Sequence, residues 1–279
     1  ENPFVDTGRV AEIYARPEPV ALSREIAAKS LVLLKNGGGL LPLSPSLKTI
    51  AVIGPNADKA RAMQGDYHFP AHMDGMFDPG VTLDAPTPGA NAMKIEWAHL
   101  YPQSVTVLDG IRRVVGPETR VLYTEGCATT GQDRTGFVEA VEIASQADVA
   151  VVVVGDQSGL SIPGGATSGE AVDSATLELP GVQRQLIQAI QATGTPVVVV
   201  LMTGRPYALE WLDKSAPAIL EAWFPAEQGG AAIADVLFGK VNPGGRLPMT
   251  FPRHVGQVPI FYGHKPSGGR TNWWGDYVD

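Results

Sequence analysis

Five short runs of mostly aliphatic residues recur along the chain without regular polar alternation. They are KTIAVIGP (48–55), RVLYTEG (120–126), DVAVVVVG (148–155), PVVVVLMTG (196–204) and AILEAWFP (218–225). Runs of this length that end near glycine or proline predict β-strands. A half-exposed strand would show polar residues at every second position, so we expect both faces of these strands to be buried.

Segments with helical periodicity separate the strands. Apolar residues recur at helical spacing in 21–36, 105–116, 136–147, 179–194 and 229–239. Buried strands that alternate with amphipathic helices predict an α/β fold, in which a parallel sheet is covered by helices on both faces.

The ends of the chain and one internal stretch depart from this alternation. Residues 1–20 are polar and punctuated by proline, which indicates a linker or strap before a sheet domain over 21–252. The stretch 64–104 is rich in Pro, Gly, Met and His and is too long for an ordinary connection. We interpret it as an insertion or active-site loop. Residues 253–279 are loop-like and aromatic and form a C-terminal arm in this interpretation.

Composition excludes several function classes. With 279 residues, 44% of them hydrophobic, the chain can bury a large core. The formal net charge of −8 argues against nucleic acid as a partner. Cys127 is the single cysteine, which excludes an internal disulfide, and no apolar run reaches the 18 residues typical of a membrane span. The first residues lack signal-peptide features and do not resemble a natural start, which leaves room for an upstream segment.

Four loops follow predicted strands, at the edge of a parallel sheet where ligands collect. They contain GPNAD (54–58), GDQSG through SGEAVD (155–173), TGRP (203–206) and FPAEQGG (224–230). Neither a G-x-G-x-x-G nor a Walker A pattern is present, so we expect no nucleotide cofactor. A G-x-S-x-G nucleophile elbow is also missing. We interpret Glu227 as a carboxylate in the first turn of a helix.

The sequence GDYHFPAH (65–72) allows two interpretations. His68 and His72 lie four residues apart beside Asp66, which could indicate a metal site. Pro70 between them prevents a regular helix from presenting both as ligands, and the pattern falls short of a zinc site. We favour sugar contact or loop packing by Asp66, Tyr67 and His68, and we expect no metal.

Glu170 stands in a loop of small residues, SIPGGATSGEAVDSATLELPG (161–181), directly after the most apolar strand. One interpretation is a solvated surface loop. The other is a loop that carries Glu170 to a reaction, with Asp173 in a structural role.

Several motifs in order resemble the second domain of family 3 glycoside hydrolases, the β-glucosidases and their relatives. They are SLVLLKNGGGLLPL, IAVIGPNAD, DVAVVVVG, SGEAVDSATLELPGVQ, GRP and AWFPAEQGGAAIADVLFGKVNPGGRLPMTFPR. The resemblance covers nearly the whole chain. It implies a six-stranded, mostly parallel sheet sandwiched between helices, with extended arms that lead from a barrel domain and toward a fibronectin-like domain.

The resemblance also implies a role for Glu170. In the family, the general acid/base is a glutamate on a loop shortly before the LPG-x-Q helix, and Glu170 matches that position. Relatives often have Glu-x-x-Asp-Arg here, whereas Ser174 follows Asp173 in this chain. Retaining hydrolysis needs a second carboxyl as nucleophile, and the family places that aspartate in the barrel, which this sequence lacks.

The resemblance therefore predicts part of a retaining, exo-acting β-glucosidase or related β-glycosidase that acts on an oligosaccharide or β-glucoside without a cofactor. The chain alone is expected to be inactive, and secretion or a periplasmic location is a family expectation. The alternative is a non-catalytic α/β domain that binds carbohydrate or a partner protein. The sequence specifies neither the sugar nor the oligomeric state.

Overall fold

The computed structural model of the protein describes residues 16–68, 104–159 and 166–263, together with residues 4, 6–9 and 12–13. In chain order the main elements are α1 (Pro17–Ser30), β1 (Val32–Asn36), β2 (Thr49–Ile53), α2 (Val107–Val114), β3 (Arg120–Thr124), α3 (Phe137–Ser145), β4 (Val149–Gly155), α4 (Gln183–Gln191), β5 (Val197–Met202), α5 (Glu210–Ser215), β6 (Ala218–Glu221) and α6 (Gly229–Leu237). Short 3-10 helices lie at Thr7–Arg9, Gly37–Gly39, Ala60–Met63 and Val255–Gln257.

The strands form one six-stranded sheet in the order β1-β6-β5-β4-β2-β3. All neighbours are parallel except β1, which runs antiparallel to β6. The central strand β4 is buried along its whole length. The α/β prediction is confirmed, with a mostly parallel sheet at its centre.

Helices cover both faces of the sheet, because alternate strand residues point into two separate cores. One core packs α1, α2 and α6 against residues such as Val52, Val151 and Val200. The other packs α3, α4 and α5 against residues such as Ile53, Val152 and Val199. The inner strands β4 and β5 are buried on both faces, which explains why their sequences lack polar alternation, whereas the edge strands β1 and β3 are partly exposed.

The prediction of a single helix over 21–36 is wrong in its second half. The helix α1 begins earlier, at Pro17, and ends at Ser30, and Leu31 is already extended. Val32–Asn36 then pair with the free edge of β6, with Val32 opposite Glu221. Over only five residues, the apolar positions of this leucine-containing segment fit the spacing of either a helix or a strand. The segment is a strand because it pairs with the unpaired edge of β6. The sequence pattern also does not predict the short helix α5.

Two glycines allow α2 and α6 to approach closely. A Cβ atom on Gly110 would lie 2.1 Å from the carbonyl oxygen of Gly230. A Cβ on Gly230 would lie 2.0 Å from the carbonyl oxygen of Thr106. The backbone N–H of Gly230 donates to the Val105 carbonyl at 3.0 Å. This contact fixes the start of α2 against α6.

We expect Gly230→Ala to lower the free energy of unfolding by about 1–3 kcal/mol, because the added methyl group meets backbone that must move. Urea denaturation of the purified chain measures this change. Gly116→Ala is the matched control, since a Cβ there has no heavy atom within 4 Å. The close helix contact would be wrong if both variants unfolded at the same urea concentration.

Candidate functional site

The strand order reverses its direction between β2 and β4, and open α/β sheets have a crevice at the carboxyl edge at such a point. From this point β3 lies on one side, and β5 and β6 lie on the other. Loops that follow strands on either side of such a reversal diverge, and ligands of open α/β sheets bind in the gap. The loops after β2 and β4 carry the candidate residues on either side of this gap.

The loop that carries Glu170 is held at its base by backbone bonds to the segment leaving β4. The N–H of Gly159 donates to the Ser168 carbonyl at 2.9 Å, and the N–H of Thr167 donates to the Gln157 carbonyl at 2.8 Å. Gly169 has a φ of +119°, and a Cβ there would lie 2.1 Å from the Gly159 carbonyl oxygen. Only glycine fits at this crossing, directly before Glu170.

Two of the three residues predicted to contact a sugar or pack the loop contact Glu170 directly. The Asp66 carboxylate accepts the backbone N–H of Glu170 at 2.8 Å. The Tyr67 hydroxyl donates to the Glu170 carboxylate at 2.6 Å, and this hydrogen bond raises the pKa of the Tyr67 phenol. The third residue, His68, places its Nδ1 against the carbonyl of Gly65 within its own turn. Glu170 and Tyr67 are both exposed.

Asp156, which sequence reasoning missed, joins the Glu170 loop to the loop after β5. It is fully buried. One carboxylate oxygen accepts the hydroxyls of Tyr207 at 2.5 Å and Thr167 at 2.6 Å. The other accepts the backbone N–H of Gly204 at 2.9 Å. An acid directly after an apolar strand was the available signal, because a buried carboxylate requires donors around it.

Arg205 connects the same two loops. Its Nη2 donates to the carbonyl of Thr167 at 3.1 Å and to the carbonyl of Val172 at 2.9 Å. These carbonyls lie on either side of Glu170 in the chain. The TGRP motif therefore binds the backbone of the loop that carries Glu170, before and after that residue.

Comparison with known proteins decides the family. A model described as "Glycosyl hydrolase family 3 C-terminal domain" matches residues 31–277. The chain belongs to glycosyl hydrolase family 3. This confirms the resemblance in the sequence motifs and identifies the fold as the C-terminal α/β domain of that family.

Family 3 relatives resemble the chain over most of its length. It is 40% identical over 243 residues to the beta-xylosidase of Formosa agariphila, covering 87% of this chain and 29% of that protein. It is 38% identical over 294 residues to the periplasmic beta-glucosidase of Salmonella typhimurium, covering 98% of this chain and 33% of that protein.

A solved family 3 structure has the same fold. The Listeria innocua beta-glucosidase in complex with isofagomine superposes with a TM-score of 0.74 at 29% identity, covering 99% of this chain and 34% of that chain. The chain thus spans about a third of the length of the relatives it matches.

Glu221 adds a second buried acid at the carboxyl edge of this family 3 domain. One of its oxygens accepts the Trp223 N–H at 2.9 Å and the Thr203 hydroxyl at 3.1 Å. The other is buried and has no hydrogen-bond partner. Burial raises the pKa of Glu221 to about 8, and the charge of Asp156 acts in the same direction. Glu221 therefore holds a proton at neutral pH.

The remaining sequence candidates contribute less to the site. His72, most of the predicted insertion and residues 264–279 of the predicted C-terminal arm lie outside the described residues. Asp173 is exposed, and Glu227 precedes α6 instead of lying in its first turn. Cys127 is buried, which raises the pKa of its thiol to about 11 and disfavours a reactive thiolate.

The described ranges also bear on metals and membranes. They contain no group of three or more His, Cys, Asp or Glu side chains that could hold a metal ion. Within the same ranges, every helix is too short or too polar to cross a bilayer.

We expect Glu221 to make the domain less stable as the pH rises. Its folded-state pKa of about 8 lies above the ordinary value of 4.5, so the folded chain retains a proton that the unfolded chain releases. The free energy of unfolding should fall between about pH 4.5 and 8, by a few kcal/mol at most. Glu221→Gln should remove this part of the slope.

Urea denaturation of the native chain and of Glu221→Gln, at intervals from pH 5 to 8, measures the difference between the two slopes. Glu178→Gln, which removes an exposed acid, serves as the control and should keep the native slope. Identical slopes for the native chain and Glu221→Gln would show that Glu221 does not hold the proton.

Proposed function

We propose that the chain supplies the general acid/base, Glu170, to a retaining, exo-acting β-glucosidase or related β-glycosidase. Its substrates would be terminal, non-reducing β-linked sugars of an oligosaccharide or β-glucoside. The observation that supports the proposal is that Glu170, on the loop after β4, contacts Asp66 and Tyr67 on the loop after β2, where the strand order reverses. Contacts from the loops after β2, β4 and β5 hold it there. Membership of family 3 supports the reaction class.

The chemistry assigns two successive steps to Glu170. As an acid it protonates the leaving glycosidic oxygen, and as a base it then takes a proton from the attacking water. A glycosidase acid must hold its proton near neutral pH, which is favoured when a sugar and a second carboxylate cover it. The small residues around Glu170 leave room for a sugar ring to approach.

We propose that the nucleophile comes from a barrel domain of the same enzyme. A retaining site needs its two carboxyls about 5–5.5 Å apart. Asp66 is engaged with the Glu170 backbone, and Asp156 and Glu221 are buried. Because these described acids near Glu170 have other roles, the chain would form one wall of the site, with no metal or cofactor required.

Asp66, Tyr67 and His68 are proposed to lie beside the bound sugar. Tyr67 is 72% exposed although its hydroxyl is bound to Glu170. A sugar whose glycosidic oxygen meets Glu170 would therefore lie within reach of this ring. Aromatic faces of this kind suit the apolar C–H side of a pyranose.

In the full-length enzyme, Glu170→Gln should reduce kcat/KM by about 10²–10⁴ for sugar or alkyl leaving groups, because proton donation is lost. The glycosylation step should slow less for activated aryl β-glycosides, whose leaving groups depart without protonation. Azide should partly restore turnover, since it attacks the glycosyl-enzyme without a base. Steady-state kinetics over a leaving-group series measures these effects.

Glu178→Gln provides the matched control, because Glu178 is an exposed acid in the same stretch and pairs with Arg184 at the surface. It should retain native kinetics. Native kinetics in Glu170→Gln as well would contradict the proposed role of Glu170.

The purified 1–279 chain should show no hydrolysis of an aryl β-glucoside or β-xyloside, because the proposed nucleophile is outside it. The full-length enzyme, assayed in parallel, should be active on at least one such substrate. Hydrolysis by the chain at a rate that Glu170→Gln leaves unchanged would contradict both the barrel nucleophile and the acid/base assignment.

A further inference from the structure

We propose that Arg205 is a positioning residue that holds Glu170 in its reactive place. This inference rests on the proposed function, since it gives a role to the TGRP turn through the acid/base. Arg205 would not touch the substrate. It would act through the backbone of the loop that carries Glu170.

The contacts of Arg205 enclose Glu170 in the chain. A single guanidinium nitrogen donates to the Thr167 carbonyl at 3.1 Å and to the Val172 carbonyl at 2.9 Å. Thr167 lies three residues before Glu170, and Val172 lies two residues after it. The two bonds therefore hold together the two ends of the segment 167–172 and restrict the position of the Glu170 side chain between them.

The backbone between these two carbonyls has conformations that need support. Gly169 has a φ of +119°, and Ala171 has a φ of +57°, in the left-handed region that a residue with a Cβ rarely adopts. Such backbone persists only where the surroundings specify it. The loop lies outside both apolar cores, so hydrogen bonds must supply that support.

Arg205 can act as a fixed anchor because its own turn is tied to the centre of the sheet. The preceding Gly204 donates its N–H to the buried Asp156 at 2.9 Å, and Tyr207 donates its hydroxyl to the same carboxylate at 2.5 Å. Asp156 follows β4 directly. The turn that carries Arg205 is therefore fixed relative to β4, and Arg205 fixes the backbone on either side of Glu170.

Arginine suits this task better than lysine. The planar guanidinium is preorganised and loses less freedom for each hydrogen bond it forms. The lysine side chain reaches less far and carries its ammonium on a flexible four-carbon stem, so it would hold the two carbonyls less firmly. Arg205→Lys should therefore fall between the native enzyme and Arg205→Ala, and it is also the variant to use if Arg205→Ala fails to fold.

The test uses the full-length enzyme and a series of aryl and alkyl β-glycosides. Arg205→Ala should reduce kcat/KM by about 10- to 100-fold for poor leaving groups, as expected when a catalytic group is displaced by about an ångström. The loss should shrink for activated aryl glycosides, and azide should recover part of the turnover, as for Glu170→Gln. A purely structural defect would lower all rates equally.

Arg246→Ala is the matched control. Arg246 also donates from one guanidinium nitrogen to two carbonyls, those of Gly244 at 2.8 Å and Gly245 at 3.1 Å, but these belong to its own segment. This variant should keep the native leaving-group dependence. If it showed the same selective loss as Arg205→Ala, the effect would not be specific to the Glu170 loop.

The double variant Arg205→Ala/Glu170→Gln separates the two proposals. If Arg205 acts through Glu170, the double variant should be no slower than Glu170→Gln alone. Multiplied losses, a uniform loss across leaving groups, or native rates in Arg205→Ala would overturn the inference while leaving the role of Glu170 intact. Native rates in Glu170→Gln would instead overturn the proposed function and, with it, the inference.

Discussion

The buried carboxylate of Asp156 imposes the constraint on which the rest of the site depends. A charge without solvent contact is costly unless donors surround it. Here the Thr167 hydroxyl, the Tyr207 hydroxyl and the Gly204 N–H converge on it. Satisfying one charge therefore brings the loops after β4 and β5 together. Asn56, from the loop after β2, donates to the Asp156 carbonyl at 2.9 Å and adds a third loop to the cluster.

Two acids at the same edge of the sheet differ because their surroundings differ. Asp156 accepts three hydrogen bonds, and both of its oxygens have a partner. Glu221 has an oxygen with no partner, and its burial beside Asp156 favours the protonated form.

Glu170 combines a rigid support with an exposed side chain. Its backbone is bound by Asp66, and its loop is closed by Arg205, yet its carboxylate meets solvent and the Tyr67 hydroxyl. A wall of an active site completed by another domain would have this character, because the reacting group must face outward from its own domain. The chain resembles both a beta-xylosidase and a beta-glucosidase, at 40% and 38% identity.

The local sequence pattern by itself determined most of the strands and the order of the motifs. The aliphatic runs identified five of the six strands, and the ordered motifs along the chain indicated the family and, through that resemblance, the candidate acid. The apolar residues of the five-residue segment 32–36 fit the spacing of either a helix or a strand. Pairing with the free edge of β6 makes this segment a strand. The hydrogen bond between Tyr67 and Glu170, which lie 103 residues apart in the chain, also depends on the tertiary structure. The same holds for the three donors around Asp156, because strand order and loop packing bring together residues that local sequence cannot pair.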